Sequence, residues 1–238
     1  MERKLLSGDE AIARGAWEAG VRFAGAYPGT PSTEILESIK DYSEIIAQWA
    51  PNEKVAFEVG LGASIGGART LVAMKHVGVN VAADPLMTFA YTGVGGGFVL
   101  VSADDPGMHS SQNEQDNRRF ASFAKIPMLE PSDSQESKDF VMAALQISEQ
   151  FDAPVMLRIT TRVAHAKTAV TLGPRQEPPP PERFKVNREK YVMLPANAMK
   201  RRHAIAAREQ KLKELAETSP LNRLEPGRGP AGFVTAGV

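Results

Sequence analysis

Apolar and polar positions along the first 170 residues alternate between two periods. Apolar residues at helical spacing predict helices over residues 8–19, 32–46, from about 52 through the late 60s, 80–91, 111–123 and 134–150. Between them, short apolar runs predict strands over residues 21–27, 70–74, 97–103, 127–130 and 155–159. The run Gly97-Phe98-Val99-Leu100-Val101-Ser102-Ala103 is continuously apolar, the pattern of a strand covered on both faces. Strands separated by helices of this length imply an α/β fold with a mostly parallel sheet flanked by helices. In such sheets ligands bind beyond the carboxyl ends of the strands, so the loops after Tyr27, Ala103 and Ile159 are the places to look for chemistry.

The pattern changes after residue 172. Gly173-Pro174 and Pro178 to Pro181 cannot continue a helix or a central strand and predict a stiff, extended linker. Beyond it, residues 200–215 (KRRHAIAAREQKLKEL) predict a helix with a basic face. The expected organisation is a domain over 1–172, a linker and basic tail over 173–230, and over 231–238 (AGFVTAGV) the first strand of a further domain.

The helix beginning near Asn52 is unusual because from Val55 onward it is apolar on nearly every side and carries a lone carboxylate, Glu58, among Val55, Phe57, Val59, Leu61 and Ile65. A helix of that kind is expected to be buried. An ionised carboxylate there costs several kcal/mol unless it is paired or protonated, of the order of the burial penalty for a single ion. Two readings follow: a glutamate poised to transfer a proton, or an interface helix whose Glu58 pairs with an Arg or Lys. The glycines at 60, 62, 66 and 67 each weaken a helix by about 1 kcal/mol relative to Ala, which suits close approach by a backbone or a flat ligand.

Two loops are equally distinctive. Tyr27-Pro28-Gly29-Thr30-Pro31-Ser32 places hydroxyls at the mouth of a helix, where free N–H groups favour an anionic or carbonyl oxygen; the same segment also reads as a rigid proline turn with Thr30 or Ser32 as the cap. The second, residues 104–117 (DDPGMHSSQNEQDN), follows an apolar strand. His109, beside Ser110, Gln112 and Asn113, is either a solvent-facing turn residue or a group that orients substrate and exchanges a proton. Lys75-His76 closes another strand with the same ambiguity. The carboxylates lack the spacing of a calcium loop, and no metal-ligand set is assigned.

Composition narrows the class. The 238 residues hold no Cys, which agrees with a cytoplasmic setting and excludes thiolate-bound clusters within this chain. No apolar run approaches 18 residues, so no membrane span is expected. Net charge is zero, but from Arg175 onward there are 13 Lys+Arg against 7 Asp+Glu, so the tail is +6 and the body −6. The tail is therefore expected to wrap the body or a partner subunit. It lacks the interleaved aromatics of a nucleic-acid arm.

The segments YPGTPST, NEKVAFEVGLGAS, MKHVGVNVAADPL, ADDPGMHSSQNEQDNR with KIPMLEPSD, and YVMLPANA occur in an order that resembles the N-terminal part of the alpha subunits of indolepyruvate-type, thiamine-diphosphate-dependent 2-oxoacid:ferredoxin oxidoreductases. The resemblance covers essentially the whole chain. It implies the pyrimidine-binding fold of that superfamily and a share in oxidative decarboxylation of an arylpyruvate, with coenzyme A as acyl acceptor and ferredoxin as electron acceptor. On matching positions it makes Glu58 the glutamate that activates the aminopyrimidine. Pro28, Gly29 and Thr30 become cofactor contacts, and Thr30 and His109 face the 2-oxoacid.

Two departures qualify the match. There is no Gly-Asp-Gly segment followed about 25 to 30 residues later by Asn, the arrangement that holds diphosphate through Mg²⁺, and there are no cysteines for 4Fe–4S clusters. Both are expected on parts outside this sequence, as are a diphosphate-binding domain or subunit and a beta subunit. A homo-oligomer is expected, with the small residues at 60–67 and 82–97 at its interface. The competing reading is a non-catalytic assembly or regulatory subunit that retains the fold.

Overall fold

Continuous apolar runs become strands with both faces covered. The computed structural model describes residues 2–178, 184–229 and 231–237. Six strands form a parallel sheet: β2 (Phe23–Ala26), β3 (Ile46–Trp49), β4 (Thr70–Lys75), β5 (Phe98–Asp104), β6 (Met128–Leu129) and β7 (Val155–Thr160), in the order β3-β2-β4-β5-β7-β6. β5 is buried at all its positions and pairs with β4 and β7, for example Val72↔Leu100 and Val101↔Leu157. A second, antiparallel pair joins β1 (Arg3–Ser7) to β8 (Lys167–Thr171), tying the chain start to the end of the sheet domain.

Helices cover both faces. On one lie α1 (Gly8–Glu18), α2 (Thr33–Ile39) and α7 (Ser134–Phe151), around a core that includes Ile12, Ile35, Val99, Val101 and Leu145. On the other lie α3 (Glu53–Ile65), α4 (His76–Val81), α5 (Ala83–Thr92) and α6 (Arg118–Ala124), around Phe57, Phe89 and Phe98. Those three rings meet with centroids 5.0–6.0 Å apart in tilted and edge-on arrangements. Such contacts add about 0.5–1.5 kcal/mol per pair to the area they bury. Helix starts follow local chemistry: Ser7 and Glu10 form a capping box on α1, and the side chains of Asn52 and Asp133 cap α3 and α7.

Several elements differ from the sequence expectation. The helix expected over 32–46 ends at Ile39, and a turn then feeds the edge strand β3. The helix expected over 80–91 is two, α4 and α5, with Pro85 in the first turn of the second, where its missing N–H costs nothing. Residues 111–116 are not helical; α6 starts at Arg118. A short α8 (Thr161–His165) follows β7.

After β8, residues 173–178 run along the end of α1: Gln176 N donates to Glu18 O at 2.7 Å and the Arg175 guanidinium to Trp17 O at 2.7 Å. Of the expected proline linker, residues 179–181 lie outside the described residues. α9 (Arg188–Tyr191) and α10 (Pro195–Thr218) then place cations on the carboxyl end of α5. Arg201 Nε donates to Tyr91 O at 2.6 Å and Arg208 Nη2 to Ala90 O at 2.9 Å. Lys190 and Arg201 pair with Asp152 at 2.9 and 3.0 Å. Positive charge at the negative end of a helix dipole favours this arrangement. Residues 231–237 are neither helix nor strand. No helix among the described residues is long and apolar enough to cross a membrane.

Candidate functional site

The strand order reverses direction between β2 and β4. From β2 the chain moves outward to β3, and from β4 it moves the other way. The crevice outside the carboxyl ends of those two strands is where an α/β sheet offers room for a ligand. Two segments identified from sequence meet there. The loop Tyr27–Pro31 leaves β2 and passes Lys75 at the end of β4 so closely that a Cβ on Gly29 would lie 3.2 Å from Lys75 Cβ. The Thr30–Pro31 peptide is cis. Ser32 and Thr33 are spent within the loop: Ser32 Oγ donates to Gly29 O at 2.8 Å, and Gly29 N donates to Thr33 Oγ1 at 2.9 Å. Ser32 therefore occupies the cap position of α2 without a side-chain cap bond, while Thr30 is exposed with its hydroxyl clear of that network.

The loop after β5 closes over the same crevice. Lys75 Nζ donates to Ser110 O at 2.9 Å and Ser110 Oγ to Thr30 O at 3.4 Å, which links strand end, proline loop and polar loop. Two consecutive carboxylates anchor the polar loop, a feature sequence reading passed over. Buried Asp104 accepts from Asn117 N at 3.0 Å and pairs with Arg158 at 2.7 Å; Arg158 in turn bonds Glu130. Asp105 accepts from Ser110 N (2.8 Å), Ser111 Oγ (2.6 Å) and Thr161 Oγ1 (2.7 Å). Burial acts to raise the Asp105 carboxyl, but these donors and the His109 amide outweigh it and hold the group far below the usual carboxylate range. The signal was present in the adjacent Asp-Asp ending an apolar strand.

The loop's histidines divide. His76 is fully buried and its Nε2 lies 3.1 Å from Asn113 O, which makes it a fastener of the loop. His109 is exposed and lines a cavity of about 460 Å³ with Pro106, Thr160, Thr161 and Arg162. That cavity lies beyond the ends of β5 and β7.

Glu58 corrects the sequence expectation. It is not buried: its side chain is 51% exposed, with Lys54 Nζ 4.0 Å from Oε1. α3 turns Ala56, Phe57, Gly60 and Ser64 toward the sheet, whereas Val55, Glu58, Val59 and Gly62 share the outer side, and Val59 is 39% exposed. A helix apolar all round thus covers only one face within this chain. The glycines also divide. A Cβ on Gly60 would lie 2.5 Å from Val72 Cγ2 and one on Gly95 2.5 Å from Ser64 O, so both serve internal packing rather than the expected outer interface. Gly62 faces open space. Thr30, Lys75 and the His109 loop are joined by hydrogen bonds; Glu58 stands on α3, outside that network.

Comparison with known proteins gives the family. Residues 14–217 match the family described as pyruvate flavodoxin/ferredoxin oxidoreductase, thiamine diphosphate-binding. The chain is 46% identical over 248 residues to the indolepyruvate oxidoreductase subunit IorA of Archaeoglobus fulgidus, covering all of this chain and 39% of that protein. It is 30% identical over 210 residues to the 2-oxoglutarate synthase subunit KorA of Methanothermobacter thermautotrophicus, covering 82% of this chain and 52% of that one. Among solved structures, a 2-oxoglutarate:ferredoxin oxidoreductase from Magnetococcus marinus with 2-oxoglutarate, coenzyme A and succinyl-CoA bound superposes with a TM-score of 0.69 at 16% identity, over 89% of this chain and 45% of that one. The chain thus spans about two fifths of the length of the IorA relative.

Proposed function

The chain belongs to the thiamine diphosphate-binding family of pyruvate flavodoxin/ferredoxin oxidoreductases, as its pyrimidine-binding part, and on that premise we propose that it serves an enzyme that oxidatively decarboxylates arylpyruvates such as indolepyruvate to the acyl-CoA. The observation that carries this reading is Glu58: a carboxylate with unused acceptor capacity, flanked by Lys54 at 4.0 Å, on an uncovered helix face that includes Val55, Val59 and Gly62. That face fits a flat aminopyrimidine, with Gly62 leaving space one turn away. Bound thiamine diphosphate supplies a carbon nucleophile at its thiazolium C2 for attack on the 2-oxoacid carbonyl.

This chain's part is acid–base work and positioning. Glu58 exchanges a proton with N1′ of the aminopyrimidine, and covering of the outer face of α3 on assembly strips water from that carboxylate. Pro28 and Gly29 shape the cofactor edge of the crevice, Thr30 presents its hydroxyl to the 2-oxoacid, and His109 lines the substrate side. The diphosphate-binding domain or subunit, with Mg²⁺, closes over α3; a beta subunit and 4Fe–4S clusters on parts outside this sequence pass electrons to ferredoxin. A homo-oligomer and a cytoplasmic setting complete the proposal, with a sheet domain over 1–172, a linker and basic tail over 173–230, and a further domain entered at 231–238.

The test is hydrogen–deuterium exchange at thiamine C2 in the complete enzyme. Glu58→Gln keeps size and helix propensity and, being on an exposed face, changes stability by no more than about 0.5 kcal/mol. Exchange and turnover are expected to fall roughly 10²- to 10⁴-fold, the usual worth of one acid–base group. Wild-type exchange in the variant would make Glu58 a surface residue and favour the non-catalytic assembly subunit.

A further inference from the structure

A second group of side chains lies on the opposite helical layer from Glu58. Asp9, in the first turn of α1, is fully buried, and neither of its carboxylate oxygens has a hydrogen-bond partner. One oxygen of Glu34, in the first turn of α2, is likewise unpartnered. Ligand atoms of Asp9, Glu34 and His165, the last residue of α8, all lie within 4.8 Å of one another. The fold enforces this meeting: a Cβ on Gly8 would stand 2.2 Å from Val163 O, so the first turn of α1 rests directly on the backbone of α8. The neighbouring acid, Glu10, is engaged elsewhere, accepting from Ser7 N at 2.7 Å in the capping box.

An unpaired, dehydrated carboxylate facing a second carboxylate is an expensive arrangement. Burial, then Glu34 and Glu10, push the Asp9 carboxyl well above its ordinary range. A proton shared with Glu34 would satisfy one Asp9 oxygen and leave the other without a partner, whereas a dication between the three groups engages Asp9, Glu34 and His165 together. The donor set of two carboxylate oxygens and one imidazole nitrogen suits a divalent transition metal better than Mg²⁺ or Ca²⁺, which prefer all-oxygen shells. Ligand bonds of 2.0–2.1 Å in a tetrahedron put donor atoms roughly 3.3 Å apart, so modest side-chain rotations close the site.

We propose that Asp9, Glu34 and His165 form a Zn²⁺ site that ties α1, α2 and α8 together, with solvent completing the coordination beside the exposed His165. Glu34 lies in the first turn of α2, directly after the proline loop, so the ion would brace the helix into which that loop leads.

Calorimetric Zn²⁺ titration of the untagged, full-length protein at pH 7.5 tests this, with thermal unfolding as a second readout. One equivalent is expected to bind with Kd at or below about 1 µM, together with a Zn²⁺-dependent rise in Tm. Asp9→Asn, which is isosteric, and His165→Gln, on the surface, should each weaken that binding roughly tenfold or more and remove the Tm response. His203→Gln, on the exposed side of α10, should leave both unchanged. Wild-type affinity in the first two variants would place the ion elsewhere and overturn the proposal. So would a wild-type protein that ignores Zn²⁺ while Asp9→Asn raises Tm in its absence, since Asp9 and Glu34 would then be a proton-sharing carboxyl pair.

Discussion

Asp105→Ala should release the loop that carries His109 while leaving the sheet intact. In the native state the Asp105 carboxylate accepts from Ser110 N, Ser111 Oγ and Thr161 Oγ1 at 2.6–2.8 Å. Hydrogen bonds to a charged group are worth about 1.5–3 kcal/mol each. The three do not simply add, because Ser110 and Ser111 lie near the surface and recover water when the loop opens. A loop-opening free energy lowered by about 2–4 kcal/mol is the expected result, which raises local amide exchange over residues 106–116 roughly 30- to 1,000-fold. Sheet amides such as those of β5 should change far less, since local and global opening are separate events. The pH dependence has a definite sign. A carboxyl held below its unfolded value stabilises the closed loop fully above about pH 4, and that contribution fades as pH falls toward the folded value. After correction for intrinsic rates, wild-type loop protection should therefore drop on acidification, and the Ala variant should show no such step. Because Ser110 also bridges Lys75 and Thr30, on the proposed function the opened loop should lower kcat/KM for the 2-oxoacid in the complete enzyme. Unchanged exchange over 106–116 in Asp105→Ala would refute the anchoring role.

Two further perturbations test the packing. Gly60→Val places a Cβ 2.5 Å from Val72 Cγ2 and 3.2 Å from Thr70 Cγ2, so α3 must shift off the sheet; the urea midpoint should fall by the equivalent of about 1–3 kcal/mol, and a midpoint at or above wild type would show that α3 is not held that close. Asp152→Asn keeps a residue that tolerates the left-handed conformation at φ 52° but removes the charge facing Lys190 and Arg201. Each partly exposed pair is worth about 0.2–1 kcal/mol, so trypsin should cut the 184–218 segment several-fold faster, and high salt should narrow the difference from wild type; equal cleavage at low salt would mean that the tail is held by other contacts.

How much of the fold was legible follows from which elements are determined locally. β5 and β7 were readable because strands covered on both faces are built mainly from apolar residues, Phe98 to Val101 in β5 and Val155 to Leu157 with Ile159 around Arg158 in β7, and α7 because its buried stripe, including Phe140, Val141, Ala144, Leu145 and Ser148, follows the helical period. β3 was hidden for the opposite reason: it is an edge strand whose residues are mostly exposed, so Ile46-Ala47-Gln48-Trp49 carries no alternation. β1 and β8 pair residues at least 160 positions apart, as in Leu6↔Thr168, and no local pattern announces such a pairing. The polar loop was expected to become helix from Ser111, but Asp104 and Asp105 capture the amides of Asn117 and Ser110, and those bonds compete with helix formation. His76 and His109 looked alike in sequence. Their roles separate only in three dimensions, where one is sealed beneath the loop and the other lines a cavity.

Glu58 shows how a sequence signal for burial can fail within one chain. Apolar residues on nearly every side of α3 lead to the expectation of burial on every side. Burial within one chain is a narrower statement. The sheet can cover only the stripe through Ala56, Phe57, Gly60 and Ser64, because it meets the helix from one direction. The outer stripe, with Val59 39% exposed and Glu58 51% exposed, is uncovered among the described residues, which suits the proposed covering of α3 on assembly. A charge on a rim would be held by neighbouring polar groups, yet the Lys54 ammonium stands 4.0 Å from Glu58 and bonds Asp84 at 2.9 Å instead. The carboxylate is therefore kept free of strong partners in the isolated chain. Such a group is tolerable while water solvates it, and any surface that covers the outer face must replace that water with a hydrogen-bonding ligand or a cation.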